Sequence, residues 1–275
     1  MVLDTCKPDR AICQSWRAWE VVAVFGLLLL FWPMVLRGSD VVQLSDAQAQ
    51  SVGQRLWQNE SGRSISGLTA WNSGEDFASL GIGHFIWYPA GHRGPFEESF
   101  PRLLRFFQQN SVQLPSWLRP EESCPWPNRS AFLADINSAK MRELRELLQK
   151  TISLQARFAA NRLEQALPQM LANAESDTRS KVEGNFSALL REPAGVYALV
   201  DYVNFKGEGT SPTERYQGQG WGLLQVLTTM SPGSGLAGFR SAAEKVLRRR
   251  VQNAPPERHE ERWLPGWLNR VATYR

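Results

Sequence analysis

The sequence predicts a mainly α-helical domain with a small β-hairpin or sheet, lying behind an N-terminal membrane segment. Three observations lead to this fold class. Apolar residues recur at helical spacing along most of the chain after residue 45. The stretch LGIGHFIWY at residues 80–88 is instead punctuated by glycines and then continuously apolar, which is typical of a turn leading into a strand. A run without charged residues precedes both patterns.

The uncharged run spans residues 21–36 and reads VVAVFGLLLLFWPMVL, with basic residues on its N-terminal side. Its 16 residues fall between a signal-peptide core and a full transmembrane helix, which need about 7–15 and about 20 apolar residues. Both interpretations send the C-terminal part of the chain outward, and we favour an uncleaved anchor. We expect a cytoplasmic segment at 1–20, a signal anchor or signal peptide at 21–36, a linker at 37–45 and an extracytoplasmic domain at 46–275. The protein would be periplasmic or otherwise extracytoplasmic, anchored to the inner membrane or secreted.

The elements of the domain are predicted from periodicity and from capping and breaking residues. Ser45 or Asp46 can cap a first helix that runs to Asn59. The strand or hairpin segment comes next, and Pro193 is expected to break a later helical pattern. The other helices are expected at 96–109, 129–149, 151–173, 176–191, 195–205, 238–253 and 259–273, with an irregular segment at 110–128 and a glycine-rich polar loop at 206–220.

Charge and cysteine content exclude several classes of protein. The net charge is only +4 and no dense run of Lys and Arg interleaves with aromatic residues, so nucleic acid is not an expected partner. Cys124 stands alone after the apolar run, which excludes a disulfide scaffold and a Cys-rich zinc site. The three histidines lack metal-ligand spacing, and no Gly-x-Ser-x-Gly elbow or phosphate-binding loop occurs. We expect neither a metal nor a cofactor.

Glu60 stands where the first helix is expected to end, and a Ser-Leu-Gly-Ile-Gly-His segment ends at His84, 24 residues later. This pairing resembles phage-type lysozymes of the lysozyme-like superfamily, in which a catalytic Glu ends the first helix and a hairpin ends in Thr-x-Gly-Ile-Gly-His. Ser79 stands at the Thr position. The resemblance covers about residues 50–88. It implies a lysozyme-like α+β fold, activity on peptidoglycan glycan and Glu60 as the catalytic acid.

Glycosidase chemistry explains why a carboxyl group at position 60 is informative. One carboxylic acid must hold a proton near pH 7 to give it to the glycosidic oxygen, and partial burial beside a cleft favours the protonated form. The glycines of the motif let the backbone approach a sugar closely. His84 would orient the site by hydrogen bonding or serve a structural role. Other residues of the segment expected to contact substrate are Trp71, Asn72 and Ser79.

The second acid of the resembled family is missing at its expected place. Phage-type lysozymes carry an Asp eleven residues before the histidine, where this chain has Ser73. Asn72, Glu75 and Asp76 lie within a small register shift. Asn72 cannot act as a base or nucleophile, although it could position a water or the substrate's acetamido group. Glu75 is the preferred second carboxylate, and the departure puts the two-carboxylate mechanism in question.

A second set of polar residues lies in the glycine-rich stretch 201–225. Its ending, Gly-Leu-Leu-Gln, resembles the Gly-Leu-Met-Gln of lytic transglycosylases, which share the lysozyme fold and work with a single Glu. We expect this stretch to form the opposite wall of the cleft, with Glu208 as the rival of Glu60 for the role of acid. The alternative is a solvated loop. The residues expected to contact glycan here are Asn204, Tyr216 and Gln225.

Two functions remain as hypotheses. The leading one is a peptidoglycan glycosidase, a muramidase or lytic transglycosylase, that cleaves between N-acetylmuramic acid and N-acetylglucosamine with Glu60 as acid. The missing Asp favours the transglycosylase. The alternative is a non-catalytic glycan-binding or envelope-scaffold protein with a degenerate lysozyme-like domain. The expected partners are peptidoglycan glycan strands and, through residues 21–36, the membrane.

Overall fold

The computed structural model describes residues 44–94 and 96–275. The cytoplasmic segment at 1–20, the apolar segment at 21–36 and nearly all of the linker at 37–45 lie outside the described residues. These assignments stay predictions. Within the described part of the chain, no helix combines the length and apolar character needed to cross a membrane.

Helices make up most of the described chain, and two small antiparallel sheets accompany them, which confirms the mainly α prediction with a small β element. The helices are α1 Asp46–Ser61, α2 Phe100–Gln109, α3 Arg129–Ala134, α4 Ala139–Lys150, α5 Ile152–Asn173, α6 Arg179–Leu190, α7 Pro193–Lys206, α8 Leu223–Thr229, α9 Gly235–Asn253 and α10 Leu264–Ala272. The strands are β1 Thr69–Ala70, β2 Ala78–Leu80, β3 Phe85–Trp87, β4 Arg215–Tyr216 and β5 Gln219–Gly220.

Helix α1 brings Glu60 to its place. Ser45 caps the helix as expected, because its hydroxyl accepts from the backbone N–H of Gln48, whose side chain in turn accepts from Ser45 N. Gly62 ends the helix in the left-handed conformation. The apolar face, which includes Leu56, packs on α5. Glu60 therefore lies in the last turn of α1, shortly before the chain enters the first sheet.

The glycine motif forms the turn between β2 and β3 in a three-stranded sheet of order β1-β2-β3. Gly81 has a φ of 73° and lies so close to α5 that an added Cβ would stand 2.3 Å from Oε1 of Gln155. That buried amide oxygen accepts from Ile82 N at 2.9 Å. Helix α5 thus holds the turn in place, and the turn ends on His84.

Some boundaries differ from the sequence predictions. The helix expected at 129–149 is two helices, because Ser138 caps a new one by accepting from Met141 N. The helical pattern breaks before Pro193 as expected, since α6 ends at Leu190, and Pro193 is the first residue of α7, where no N–H donor is needed. The helix expected from residue 96 begins at Phe100. The glycine-rich loop at 206–220 contains the β4–β5 hairpin.

Candidate active-site pocket

A pocket of about 1010 Å³ opens between the end of α1, the β2–β3 turn and helices α2, α5, α7 and α10. Four of the residues expected to form the site line it, which brings both predicted segments to one cavity. These four are Glu60, His84, Asn204 and Tyr216. Lys206 and Arg270, for which no role was predicted, line it as well.

The carboxyl group of Glu60 is largely shielded, with 13% of its side chain exposed. Its Oε1 accepts from Arg270 Nη2 at 2.6 Å and from Asn204 Nδ2 at 3.2 Å. Its Oε2 lies 3.3 Å from Nδ1 of His84. The side chain is therefore held from three elements, α7, α10 and the β2–β3 turn, and it faces the pocket instead of open solvent.

His84 reaches Glu60 from an unusual backbone conformation. Its φ is 49°, in the left-handed region that residues with a Cβ adopt at a cost. His84 N donates to the carbonyl of Gly81 and closes the turn. The neighbouring Gly83 leaves no room for a side chain, because a Cβ there would meet the Phe85 ring at 2.8 Å. The tight turn thus aims the imidazole at the carboxylate.

Arg270 is fixed from behind by a fully buried carboxylate on α7. Asp201 accepts two bonds from Arg270, each 2.9 Å long, and a third from the hydroxyl of Tyr274 at 2.6 Å. Asn59 donates to Asp201 as well. Burial alone would lower the pKa of Arg270, but the carboxylates of Asp201 and Glu60 outweigh it and raise that pKa above its usual value. Arg270 is a permanent cation beside Glu60.

Lys206, the last residue of α7, also lines the pocket, with its Nζ 3.5 Å from the ring centroid of Trp267 and 4.1 Å from that of Phe205. Burial lowers the pKa of Lys206 to about 6, Arg250 and Arg270 lower it too, and Glu260 offsets part of this. The two ring contacts favour the charged form and oppose this lowering of the pKa. The pKa of Lys206 is nevertheless well below that of an exposed lysine.

Arg250 is the cation next to Lys206, and it is fully paired. Its guanidinium makes two bonds to the buried carboxylate of Glu260, at 2.7 and 2.8 Å, and lies 4.0 Å from the ring centroid of Trp221. The hydroxyl of Tyr216 donates to Glu260 at 2.8 Å. This pairing lowers the pKa of Glu260 although burial by itself would raise it. Tyr216 thus ties the β4–β5 hairpin to this end of the pocket.

No family model, no curated protein and no solved structure matched this chain in the three comparisons.

Two of the residues expected to contact substrate lie in the core instead of on the pocket wall. Trp71 is 5% exposed and packs edge-on against Phe132. Ser79 is 3% exposed, in the central strand of the sheet, opposite Ile86. The reason is local: a three-residue strand buried on both faces does not leave the Ser79 side chain free to reach a cavity.

The predicted second acid is also away from the pocket wall. Glu75 lies in the segment between β1 and β2, where its carboxylate accepts from Asn72 Nδ2 at 3.1 Å. Its carbonyl accepts from Trp71 Nε1 at 2.7 Å. Asn72, Glu75 and Asp76 are absent from the pocket lining. The carboxylates that do line it, among the residues the structure describes, are Glu60, Glu97 and Glu214.

Glu208 and Gln225 likewise do not line the pocket. The carboxylate of Glu208 accepts from Arg162 Nε at 2.7 Å, and Arg162 lines the pocket while Glu208 does not. The side chain of Gln225 accepts from Gly222 N and donates to the carbonyl of Gly209. Gln225 therefore braces the start of α8 against the loop, and Glu208 positions an arginine of the rim.

Two residues central to the site were not predicted. Arg270 is 210 residues from Glu60 in sequence, and nothing local distinguishes it from the other arginines near the C-terminus. Asp201 carries a usable signal, because it is the one charged residue in the apolar run Gly195–Phe205. A charge inside a buried helix requires a partner, so Asp201 could have been expected to hold a cation.

Proposed function

We propose that this domain is a lysozyme-like peptidoglycan glycosidase that cleaves the bond between N-acetylmuramic acid and N-acetylglucosamine, with Glu60 as the general acid. The observation that carries the proposal is the position of Glu60. Its shielded carboxyl group lines a large pocket and lies 3.3 Å from His84 of the glycine turn. These are the two residues on which the resemblance to phage-type lysozymes rests.

The pocket suits a glycan in size and lining. Its volume of about 1010 Å³ is at the upper end of the range for small-ligand sites, so it can take more than one sugar ring. Phe96, Phe106 and Phe158 line it, and Phe96 is 52% exposed. Apolar faces of sugar rings stack on such aromatic side chains, while polar groups between them bind hydroxyl and acetamido groups.

The hydrogen bonds of Glu60 determine which oxygen can act. Oε1 already accepts from Arg270 and Asn204, so a proton on Oε1 would compete with both donors. Among the residues that the structure describes, Oε2 has only the imidazole of His84 nearby. We therefore place the acidic proton of Glu60 on Oε2. His84 would orient this proton by hydrogen bonding or exchange it with the carboxyl group.

A mechanism with one carboxyl group agrees with the positions of the predicted candidates, because Glu75 and Glu208 both lie off the pocket wall. Glu97 and Glu214 line the pocket, and Glu97 is paired with Arg102. In a lytic transglycosylase, Glu60 gives its proton to the glycosidic oxygen as the bond to the anomeric carbon breaks. A hydroxyl of the same sugar then attacks that carbon and returns a proton to Glu60. No external base is required, which agrees with the missing Asp of the resembled family.

A non-catalytic glycan-binding or envelope-scaffold module is the second candidate, and one contact favours it. Arg270 donates to Glu60 at 2.6 Å and is itself held by the buried Asp201. A fixed cation stabilises an ionised carboxylate, which is the wrong form for an acid and a good form for a structural ion pair.

The proposed setting is outside the cytoplasmic membrane, where peptidoglycan lies. Residues 21–36 would anchor the chain in the inner membrane or export it as a signal peptide. Glycan strands are the proposed partner, without nucleic acid.

A zymogram on purified peptidoglycan separates the two candidates. The proposal predicts clearing by the parent and by Glu208→Gln, and none by Glu60→Gln. Glu146→Gln is the matched control, because it removes an exposed carboxylate one turn before the end of α4. Mass spectrometry of the products then distinguishes anhydro ends from reducing ends. A folded parent that binds peptidoglycan but clears nothing would instead establish the binding module.

A further inference from the structure

Lys206 lines the pocket but takes no part in the proposed cleavage reaction. It ends α7, between the aromatic rings of Phe205 and Trp267, and it lines the same cavity as Glu60. Within residues 44–94 and 96–275, no carboxylate lies at ion-pair distance from its Nζ, and no hydrogen bond to Nζ is formed.

The cations that face Lys206 are each paired with a carboxylate. Arg250 from α9 is bonded to Glu260, and Arg270 from α10 is bonded to Glu60 and Asp201. Glu214 also lines the pocket, with its Oε2 3.5 Å from the position of a Cβ on Gly207, but it forms no ion pair with Lys206. Lys206 is therefore an amine without a bound counter-charge among the described residues.

We infer that Lys206 is the receptor for a carboxylate carried by the ligand of this pocket. An incoming carboxylate supplies an ion-pair partner and a hydrogen-bond acceptor for Nζ, and the amine takes one proton from solvent as the ion pair forms. This inference rests on the proposed function in taking the ligand to be a glycan. The bound glycan would then carry its carboxylate next to Trp267.

Two sources of such a carboxylate exist on peptidoglycan. One is the lactyl group of N-acetylmuramic acid, which is free only where the stem peptide has been removed. The other is a carboxylate of the stem peptide itself. Both present the same chemistry to Lys206, so a peptide-free and a peptide-bearing glycan must be compared.

The first test is protection of Lys206 from an amine-reactive ester, with peptides of the full chain quantified by mass spectrometry. Because its pKa is lowered, Lys206 should be acetylated at pH 7 at least tenfold faster than Lys140, whose Nζ lies 5.3 Å from the ring centroid of Trp117 outside the pocket. A peptide-free oligomer of N-acetylglucosamine and N-acetylmuramic acid, or its peptide-bearing form, should slow the reaction at least fivefold. Neutral N-acetylchitotetraose should slow it less than twofold, whereas lactate, which offers a carboxylate without a glycan, should slow it at least twofold.

The results separate this inference from the proposed function. Equal protection by the neutral and the anionic glycan would overturn the carboxylate receptor and leave the glycan function standing. Protection by lactate with none by any glycan would support the receptor and refute the glycan. No protection by lactate or by any glycan would overturn the receptor.

Calorimetry with Lys206→Met provides the second test. Binding of the anionic glycan to the parent at pH 7 should take up about one proton, measured in buffers of different ionisation enthalpy. Lys206→Met should remove this uptake and weaken binding at least tenfold, whereas Lys140→Met should keep the uptake. Methionine fills the same space between two aromatic rings, so the variant should fold. Unchanged affinity and proton uptake in Lys206→Met would overturn the inference.

Discussion

Glu60 and Lys206 line the same pocket but differ in how completely they are paired. We call Glu60 with the residues that hold it the acid end, and Lys206 with its aromatic neighbours the amine end. At the acid end, Glu60 is contacted by Arg270, Asn204 and His84, and Arg270 is held in turn by Asp201. At the amine end, Lys206 touches aromatic rings and has no acceptor among the described residues. A side chain whose hydrogen-bond and ion-pair partners all belong to the protein is held in one position. A side chain without such partners can form them with a ligand that enters the pocket.

The largest effect expected from breaking the acid end is at Asp201. Asp201→Asn removes the fully buried carboxylate that accepts two bonds from Arg270 and one from Tyr274. Removing one partner of a buried ion pair typically costs about 3–5 kcal/mol, so we expect about 3 kcal/mol less free energy of unfolding by urea denaturation. Asp177→Asn, on an exposed turn, is the control. A loss below about 0.5 kcal/mol would show that Asp201 does not support the acid end.

The amine end should behave in the opposite way. The pKa of Lys206 lies near 6 when folded and near 10.5 when unfolded, so the unfolded chain binds an extra proton between these values. Lys206 therefore lowers the free energy of unfolding at pH 7, and this lowering becomes smaller as the pH rises toward 10. Lys206→Met should raise the free energy of unfolding by about 1–3 kcal/mol at pH 7, with little gain near pH 10. A destabilised variant, or a gain that does not depend on pH, would refute the lowered pKa of Lys206.

The smallest effect is expected at the segment between β1 and β2. Glu75 binds Asn72 and does not line the pocket, so Glu75→Gln should change the rate of peptidoglycan cleavage by less than about threefold. Turnover of purified peptidoglycan measures this directly. A loss above about a hundredfold, typical of a lost general base, would restore Glu75 as the second carboxylate.

Local signals in the sequence predicted one half of the acid end. The Ser45 cap and the apolar face of α1 placed Glu60 at a helix end, and the glycine motif placed His84 on a turn. Both depend on neighbours in sequence. The side on which Ser79 and Trp71 point could not be predicted, because strands of two and three residues are too short for alternation to distinguish their faces.

The other half depends on packing between elements far apart in the chain. Arg270 reaches Glu60 of α1 and Asp201 of α7 from α10, which packs on α9, and no periodicity in one segment encodes that contact. The lowered pKa of Lys206 likewise arises from its burial and from Arg250 and Arg270, which come from two later helices. Asp201 is the intermediate case, since its polarity within an apolar helix marked it as a residue in need of a partner.

The central claim is that the carboxyl group of Glu60 cleaves the glycan, and release of soluble fragments from purified peptidoglycan tests it most directly. Parent and Glu60→Gln are compared at equal occupancy, which co-sedimentation with insoluble peptidoglycan measures. We predict that Glu60→Gln binds as the parent does and releases fragments about 10²–10⁴ times more slowly, as expected for loss of a general acid. Release by Glu60→Gln within threefold of the parent rate would contradict the claim.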